Sequence, residues 1–333
     1  MAIGRVMRYL NEHRLFTSLP SYDEVIEGLV CLDPRRPSNP SSKDLVFQLD
    51  IPEHLRGQKT RQFAKVASHL WGGHEQTARS FEDIEIVKID ELAYARTHPL
   101  KVTLSFPGGV SRTVYAKRFD EKRLVGLELE NILGPGKYNY SSGGEAIYEA
   151  ELPGVEAVSV PNVLKVRPEY QEELVRLDYR AFLTLMGDIN PFNYLVETTE
   201  QRQDTTPGFR MRPIDFDKLF TNDKIGEPLR DGFLIGPDER PIAIATIGEE
   251  KYNSLLELQR QIVRRRYLQQ ENRIKALLEI VGDSEDCNAD RFKLRDRLAI
   301  YYGENGSSRA EAFYDAENMG ELLGLHLTEQ LEI

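Results

Sequence analysis

The sequence predicts an α+β protein in two lobes: a helical N-terminal extension, a small β-rich lobe, and a larger α-rich lobe. Three observations predict it. Short runs with period-two alternation crowd between residues 84 and 119, interrupted by turn glycines. Apolar residues at helical spacing dominate after Pro168. The chain has 333 residues, of which 40% are hydrophobic and 9% aromatic, enough material for two cores.

The elements follow in order. Residues 1–80 read as the helical extension. Leu15, Leu19, Val25, Ile26, Leu29 and Val30 give patchy helical spacing. A Pro/Ser-rich loop runs from Pro34 to Lys43, Asp44 to Ile51 alternates as a strand, and residues 53–80 are helical around Leu55, Phe63, Val66, Ala67 and Leu70. Residues 81–160 form the β-rich lobe. Its strands are Ile84–Ile89, Leu100–Phe106 and Thr113–Phe119, the last two joined by Pro107-Gly108-Gly109, hairpin chemistry because glycine accepts positive φ. A helix over 121–133 and a glycine-rich loop from Gly134 to Gly144 complete it. Residues 161–333 form the α-rich lobe. It opens with a helix lined by Tyr170, Leu174, Leu177, Phe182 and Leu185. Two short strands follow, Tyr194–Val196 and Met211–Phe216, then helices over 249–281, 290–303 and 309–330.

Composition excludes several functions. Lys and Arg number 43 against 54 Asp and Glu, a net charge of −11, which disfavours generic binding to nucleic acid or anionic membrane. Cys31 and Cys287 lie far apart with no partner spacing, so neither a disulfide framework nor a cysteine-based zinc site is expected. No run reaches the ~18 apolar residues of a membrane span, and no apolar segment with a cleavage site opens the chain. The expectation is a cytoplasmic protein, a signal-less secretion route being invisible to this reading. His69 and His74 lack i,i+4 spacing and a third ligand, so they do not read as a metal pair. Arg264-Arg265-Arg266 reads as the solvated face of a helix.

Two segments carry chemistry. In Met186-Gly187-Asp188-Ile189-Asn190-Pro191-Phe192-Asn193, an amide follows an aspartate by five residues. In Pro213-Ile214-Asp215-Phe216-Asp217, two carboxylates flank a phenylalanine beside an apolar strand. Either segment alone is ordinary turn chemistry. In this order, with a lysine on an upstream strand, they resemble the protein-kinase-like superfamily, in motif style the small-molecule and phosphoinositide kinases. The resemblance spans roughly residues 100–220.

It implies a bilobal kinase-like fold and transfer of a phosphoryl group from ATP, with Mg²⁺, to a hydroxyl of an undefined acceptor: a small molecule, a lipid head group or a protein. Phosphoryl transfer is mostly positioning and charge neutralisation, and Mg²⁺ takes oxygen ligands. By resemblance Asp188 accepts or orients the acceptor hydroxyl, Asn193 and Asp215 are metal ligands, and Asp217 is an extra one. Lys117, in Val114-Tyr115-Ala116-Lys117-Arg118-Phe119, clamps the nucleotide phosphates. A glutamate on the next helix, Glu130 in preference to Glu128, orients it. Gly108 and Gly109 form the phosphate-covering loop.

The chain departs from protein kinases in several places. It lacks Gly-x-Gly-x-x-Gly, carries Met186 and Gly187 where they have His and Arg, has Asp217 where they have Gly, and lacks Ala-Pro-Glu, leaving 221–240 unassigned. Two alternatives stay open: a pseudokinase-type nucleotide-binding or scaffold protein, and nucleotidyl transfer on the same fold.

Overall fold

A computed structural model of the chain describes residues 2–333 except 14, 16–17, 33–44, 73–82, 94, 96, 144, 188, 200–207, 218, 222–238 and 305. The loop expected over 34–43, His74, Asp188 and most of 221–240 lie outside the described residues. The chain is α+β and divides into two units. A sheet unit comprises Ile3–Asp120 and Tyr138–Glu151, and a helical unit comprises Met1–Ala2, Glu121–Lys137 and Leu152–Ile333.

The sheet unit begins with α1 (Ala2–Glu12) and α2 (Tyr22–Ile26). α2 starts on a capping box: the Ser21 hydroxyl accepts from the Glu24 N–H, and the Glu24 carboxylate accepts from the Ser21 N–H. At its other end Lys59 is buried and donates to the Glu24 and Val25 carbonyls. Lys59 lies on α3 (Glu53–Trp71), between β2 (Val46–Asp50) and β3 (Glu85–Leu92).

With β1 (Val30–Cys31), β4 (Leu100–Phe106), β5 (Val110–Arg118), β6 (Tyr140–Ser142) and β7 (Ala146–Ala150), these strands form an antiparallel sheet in the order β1-β2-β3-β4-β5-β7-β6. Alternation sorts its faces. Leu100, Val102, Leu104, Val114, Ala116 and Tyr148 pack on Phe63, Val66, Ala67 and Leu70 of α3. The opposite face carries Lys101, Thr103, Thr113, Tyr115, Lys117 and Glu149. In β3 the register shifts between Ile86 and Lys88. This bulge turns Val87 out to solvent and lets Ile84, Ile86 and Ile89 all be buried, which strict alternation forbids.

Residues 1–80 therefore differ from the separate extension expected. β2 pairs with β3, and α3 packs Phe63, Val66, Ala67 and Leu70 into the sheet's core. The local pattern shows a strand at 46–50 but not its partner some 40 residues on. β6 likewise replaces part of the expected glycine-rich loop, and β7 follows just after it.

The helical unit takes α4 (Glu121–Leu133), although α4 lies between strands in sequence. It continues through β8 (Val155–Glu156), a 3-10 turn at Ala157–Ser159, α5 (Asn162–Lys165) and α6 (Pro168–Leu183). β9 (Tyr194–Thr199) and β10 (Gly208–Pro213) follow, then α7 (Glu239–Ile247), α8 (Glu249–Gln269), α9 (Glu271–Asp283), α10 (Glu285–Asn288), α11 (Arg291–Glu304), α12 (Ala310–Asp315) and α13 (Met319–Leu331). β10, β9 and β8 form a small antiparallel sheet. Pro213 ends β10 at the sheet's edge, where a missing N–H costs no ladder bond.

The helix expected over 249–281 breaks at Gln270, whose φ of −122° leaves the α region. Of the three arginines, Arg264 and Arg265 are exposed. Arg266 donates to the Leu133 and Gly134 carbonyls, placing a cation on the C-terminus of α4. Among the described residues no helix is long and apolar enough to cross a membrane.

Candidate functional site

The two motifs are held side by side within the helical unit. Register pairs Pro213 with Tyr194 at the end of the β9–β10 hairpin, and one step further the Ile214 N–H donates to the Asn193 carbonyl at 2.9 Å. On the far side of both loops Met186 bridges Leu219, and the Phe220 N–H donates to the Leu185 carbonyl at 3.0 Å. The chain entering and leaving each motif is thus joined to the other motif by backbone contacts. Leu185 and Phe220 hold φ of +53° and +60°, left-handed conformations that cost a non-glycine residue about 1–2 kcal/mol. Both are buried, so packing holds them there.

Asn193, Asp215 and Asp217 are all partly exposed. Together they offer an amide oxygen and two carboxylates, a hard-oxygen donor set suited to Mg²⁺, which needs one or two carboxylates when phosphate supplies the rest. Among the described residues no group of three or more His, Cys, Asp or Glu gathers as a metal cage.

One face of α4 runs along the second motif. Arg123 donates from Nη2 to Asp215 Oδ1 at 2.9 Å and from Nη1 to the Ile214 carbonyl at 3.4 Å. One turn on, a Cβ built at Gly126 would lie 2.3 Å from the buried Phe216 ring, so only glycine lets the helix approach this closely. Two turns on, Glu130 is buried against Arg180, with Nε 3.7 Å from Oε1. Arg180 in turn donates from Nη2 to the Met211 carbonyl in β10. Burial pushes the Glu130 carboxyl above its usual range, and the Arg180 charge pulls it back. Glu128, also buried, accepts two bonds from Arg273, at 2.5 and 2.9 Å.

The sheet unit presents a separate polar cluster. Lys117 donates to Glu149 of β7 at 2.9 Å, both side chains being nearly buried. Beside it Lys101 and Tyr115 both donate to Glu151. Both ammoniums lie over the Tyr115 ring, at 5.6 and 5.8 Å from its centroid. Burial pushes the Tyr115 hydroxyl up to about 12. Burial opposes charge on Glu151, but its hydrogen bond from Lys101 prevails and holds it below the usual carboxylate range.

Gly108 and Gly109 form the tip of the β4–β5 hairpin, with φ of +90° and +78° and open space where a side chain would stand. They answer to backbone geometry, the Gly109 N–H closing the turn onto the Phe106 carbonyl.

Each expected site residue therefore has a defined setting, Asp188 excepted. The carboxylate that meets Lys117 within its own unit is Glu149, while Glu128 and Glu130 each engage an arginine of the helical unit. Sequence reasoning missed Glu149, Arg123 and the Lys101–Tyr115–Glu151 group. Glu149 left no local signal, since its pairing depends on β7 joining β5. Arg123 left one: a glycine inside an otherwise good helix, three residues on, marks a close approach.

No family model matches the chain, and no curated protein does. Among solved structures it is similar to the Rio2 kinase of Chaetomium thermophilum in its ADP/Mg²⁺–phosphoaspartate complex. The match covers 100% of this chain and 86% of that one, at 11% identity and a TM-score of 0.33. Likeness at that level establishes no shared fold.

Proposed function

We propose that the chain is an ATP- and Mg²⁺-dependent phosphotransferase of kinase-like fold, acting on a hydroxyl of an acceptor not yet defined. The observation that carries this reading is the clamp that sets Asn193 beside Ile214 and Asp215. It brings the backbone at Asn193 to the backbone one residue before Asp215, at one end of one hairpin. Asn193, Asp215 and Asp217 would hold the cation, which would supply charge neutralisation for the transferring phosphoryl group.

The chain's own residues do the rest. Asp215 and Asn193 supply oxygen ligands, with Asp217 adjacent. Lys117, kept in one rotamer by Glu149, presents its ammonium to phosphate. Asp188, five residues before Asn193, accepts or orients the acceptor hydroxyl. Gly108 and Gly109 give the β4–β5 turn the freedom to lie over phosphates. Glu128 and Glu130 act indirectly, by fixing α4 against the helical unit.

A second reading, a pseudokinase-type scaffold, draws on the Arg123–Asp215 pair, which already neutralises the principal metal ligand.

Thermal unfolding with and without Mg-ATP, for wild type and Asp215→Ala, tests the proposal. Ligand at about 100 times its dissociation constant adds ~2.7 kcal/mol. A magnesium-dependent shift in wild type that vanishes in the variant is expected, together with transfer of label from γ-phosphate-labelled ATP. A shift without transfer to any acceptor or water favours the scaffold. No shift in either protein removes the nucleotide site.

A further inference from the structure

The Arg123–Asp215 contact has a chemical consequence of its own. Arg123 is nearly buried, its side chain 7% exposed, while the carboxylate it holds is 38% exposed. The guanidinium thus approaches Asp215 from the protein side and leaves the solvent side open. It is fixed twice, by Asp215 Oδ1 and by the Ile214 carbonyl. Gly126 and Phe216, packed together one turn along α4, keep the helix at that distance. A cation is therefore already seated at the carboxylate that the proposed function assigns to Mg²⁺.

We propose that Arg123 is a resident counter-cation at Asp215, and that a divalent metal binds this carboxylate only by displacing the guanidinium. This rests on the reading of Asp215 as a metal ligand. Without metal, the guanidinium neutralises the Asp215 carboxylate. Metal carried by an anionic nucleotide overcomes the repulsion, because the phosphates bring compensating charge. Free metal at ordinary concentration does not. Arg123 thereby couples metal entry to nucleotide entry, and it acts as a positioning residue through Asp215.

The test is Mn²⁺ binding to the full-length chain without nucleotide, by calorimetry or water-proton relaxation. Arg123→Gln should bind Mn²⁺ about tenfold tighter than wild type, the effect of one unit charge on a divalent ion a few ångström away even at water-like screening. Arg123→Lys, which keeps the charge, should resemble wild type. Asp215→Asn should abolish the binding in both backgrounds.

Equal or weaker binding by Arg123→Gln, with the Asp215 dependence intact, overturns the displacement and leaves the metal ligand standing. Binding that ignores Asp215→Asn overturns the metal reading itself. A second measurement needs no change at Arg123 in the protein titrated. The guanidinium Nε–H resonance of wild type, assigned by comparison with Arg123→Lys, should move as Mg-ATP saturates the site and stay in place with Mg²⁺ alone at the same concentration. A resonance that stays still at saturation refutes the displacement.

Discussion

Replacing Arg180 by Met should destabilise the helical unit by about 3 kcal/mol near pH 7 and by much less near pH 5. The side chains of Arg180 and Glu130 are 1% and 2% exposed, so neither charge can turn to water. In an Arg180→Met variant Glu130 has one inexpensive escape, to take up a proton. Its carboxyl starts from an ordinary value of 4.5. Holding it protonated at about pH 7 costs roughly 2.5 × 1.36, or about 3.4 kcal/mol. That figure falls inside the range of about 3–5 kcal/mol for breaking a buried pair.

The sign follows from the raised folded pKa. Stability is fully present below the unfolded value and is lost as pH rises, so moving from about pH 7 to about pH 5 should return nearly 3 kcal/mol. At about 2–4 °C per kcal/mol for a unit of this size, the melting point should fall by roughly 7–14 °C near neutrality. Urea titrations followed by far-UV circular dichroism would measure it. Trp71, the single tryptophan, sits in the sheet unit and reports on that unit separately. Adding Glu130→Gln to the Met variant should restore most of the loss and flatten its pH dependence. A penalty under about 1 kcal/mol, or one equal at both pH values, would refute the reasoning.

Three further outcomes are expected. Gly126→Ala gains up to about 1 kcal/mol of helix propensity but forces its methyl into the Phe216 ring, and overpacking of about 1–3 kcal/mol should prevail in a denaturant titration. His326 is fully buried, donating from Nε2 to the Phe182 carbonyl and accepting at Nδ1 from Tyr302, and burial lowers it to about 4. Stability should therefore be full above the unfolded value of 6.5 and fall by about 3 kcal/mol as pH drops to 4, a slope that His326→Gln should lack when unfolding is followed across that window. Lys117→Met should fold, with modest loss from removing the Lys117–Glu149 ion pair, yet should lose most of the Mg-ATP stabilisation; retention of the full melting shift would remove Lys117 from the phosphate site.

Local physics made some elements legible and hid others. The β4–β5 hairpin stood out because alternation and Pro-Gly-Gly act over a few residues, and the expected strand Leu100–Phe106 matches β4 end to end. α4 was legible over 121–133 for the same reason. Its place in the helical unit was not, because Arg123, Glu128 and Glu130 look like surface charges until Asp215, Arg273 and Arg180 are brought to them. β1, β6 and β7 are short and owe their existence to partners distant in sequence. The spacing of Asp188, Asn193 and Asp215 was readable as a pattern, whereas the Ile214–Asn193 hydrogen bond that joins its two halves depends on the hairpin.

The left-handed residues Leu185 and Phe220 share one hydrogen bond and bracket both motif loops. A bond closed by two unfavourable backbone conformations works like a sprung latch: each residue returns to ordinary geometry once its neighbour lets go. Softening the apolar packing around either one should therefore release both loops together, and damage far from any carboxylate should read out as loss of the whole site rather than of one residue in it.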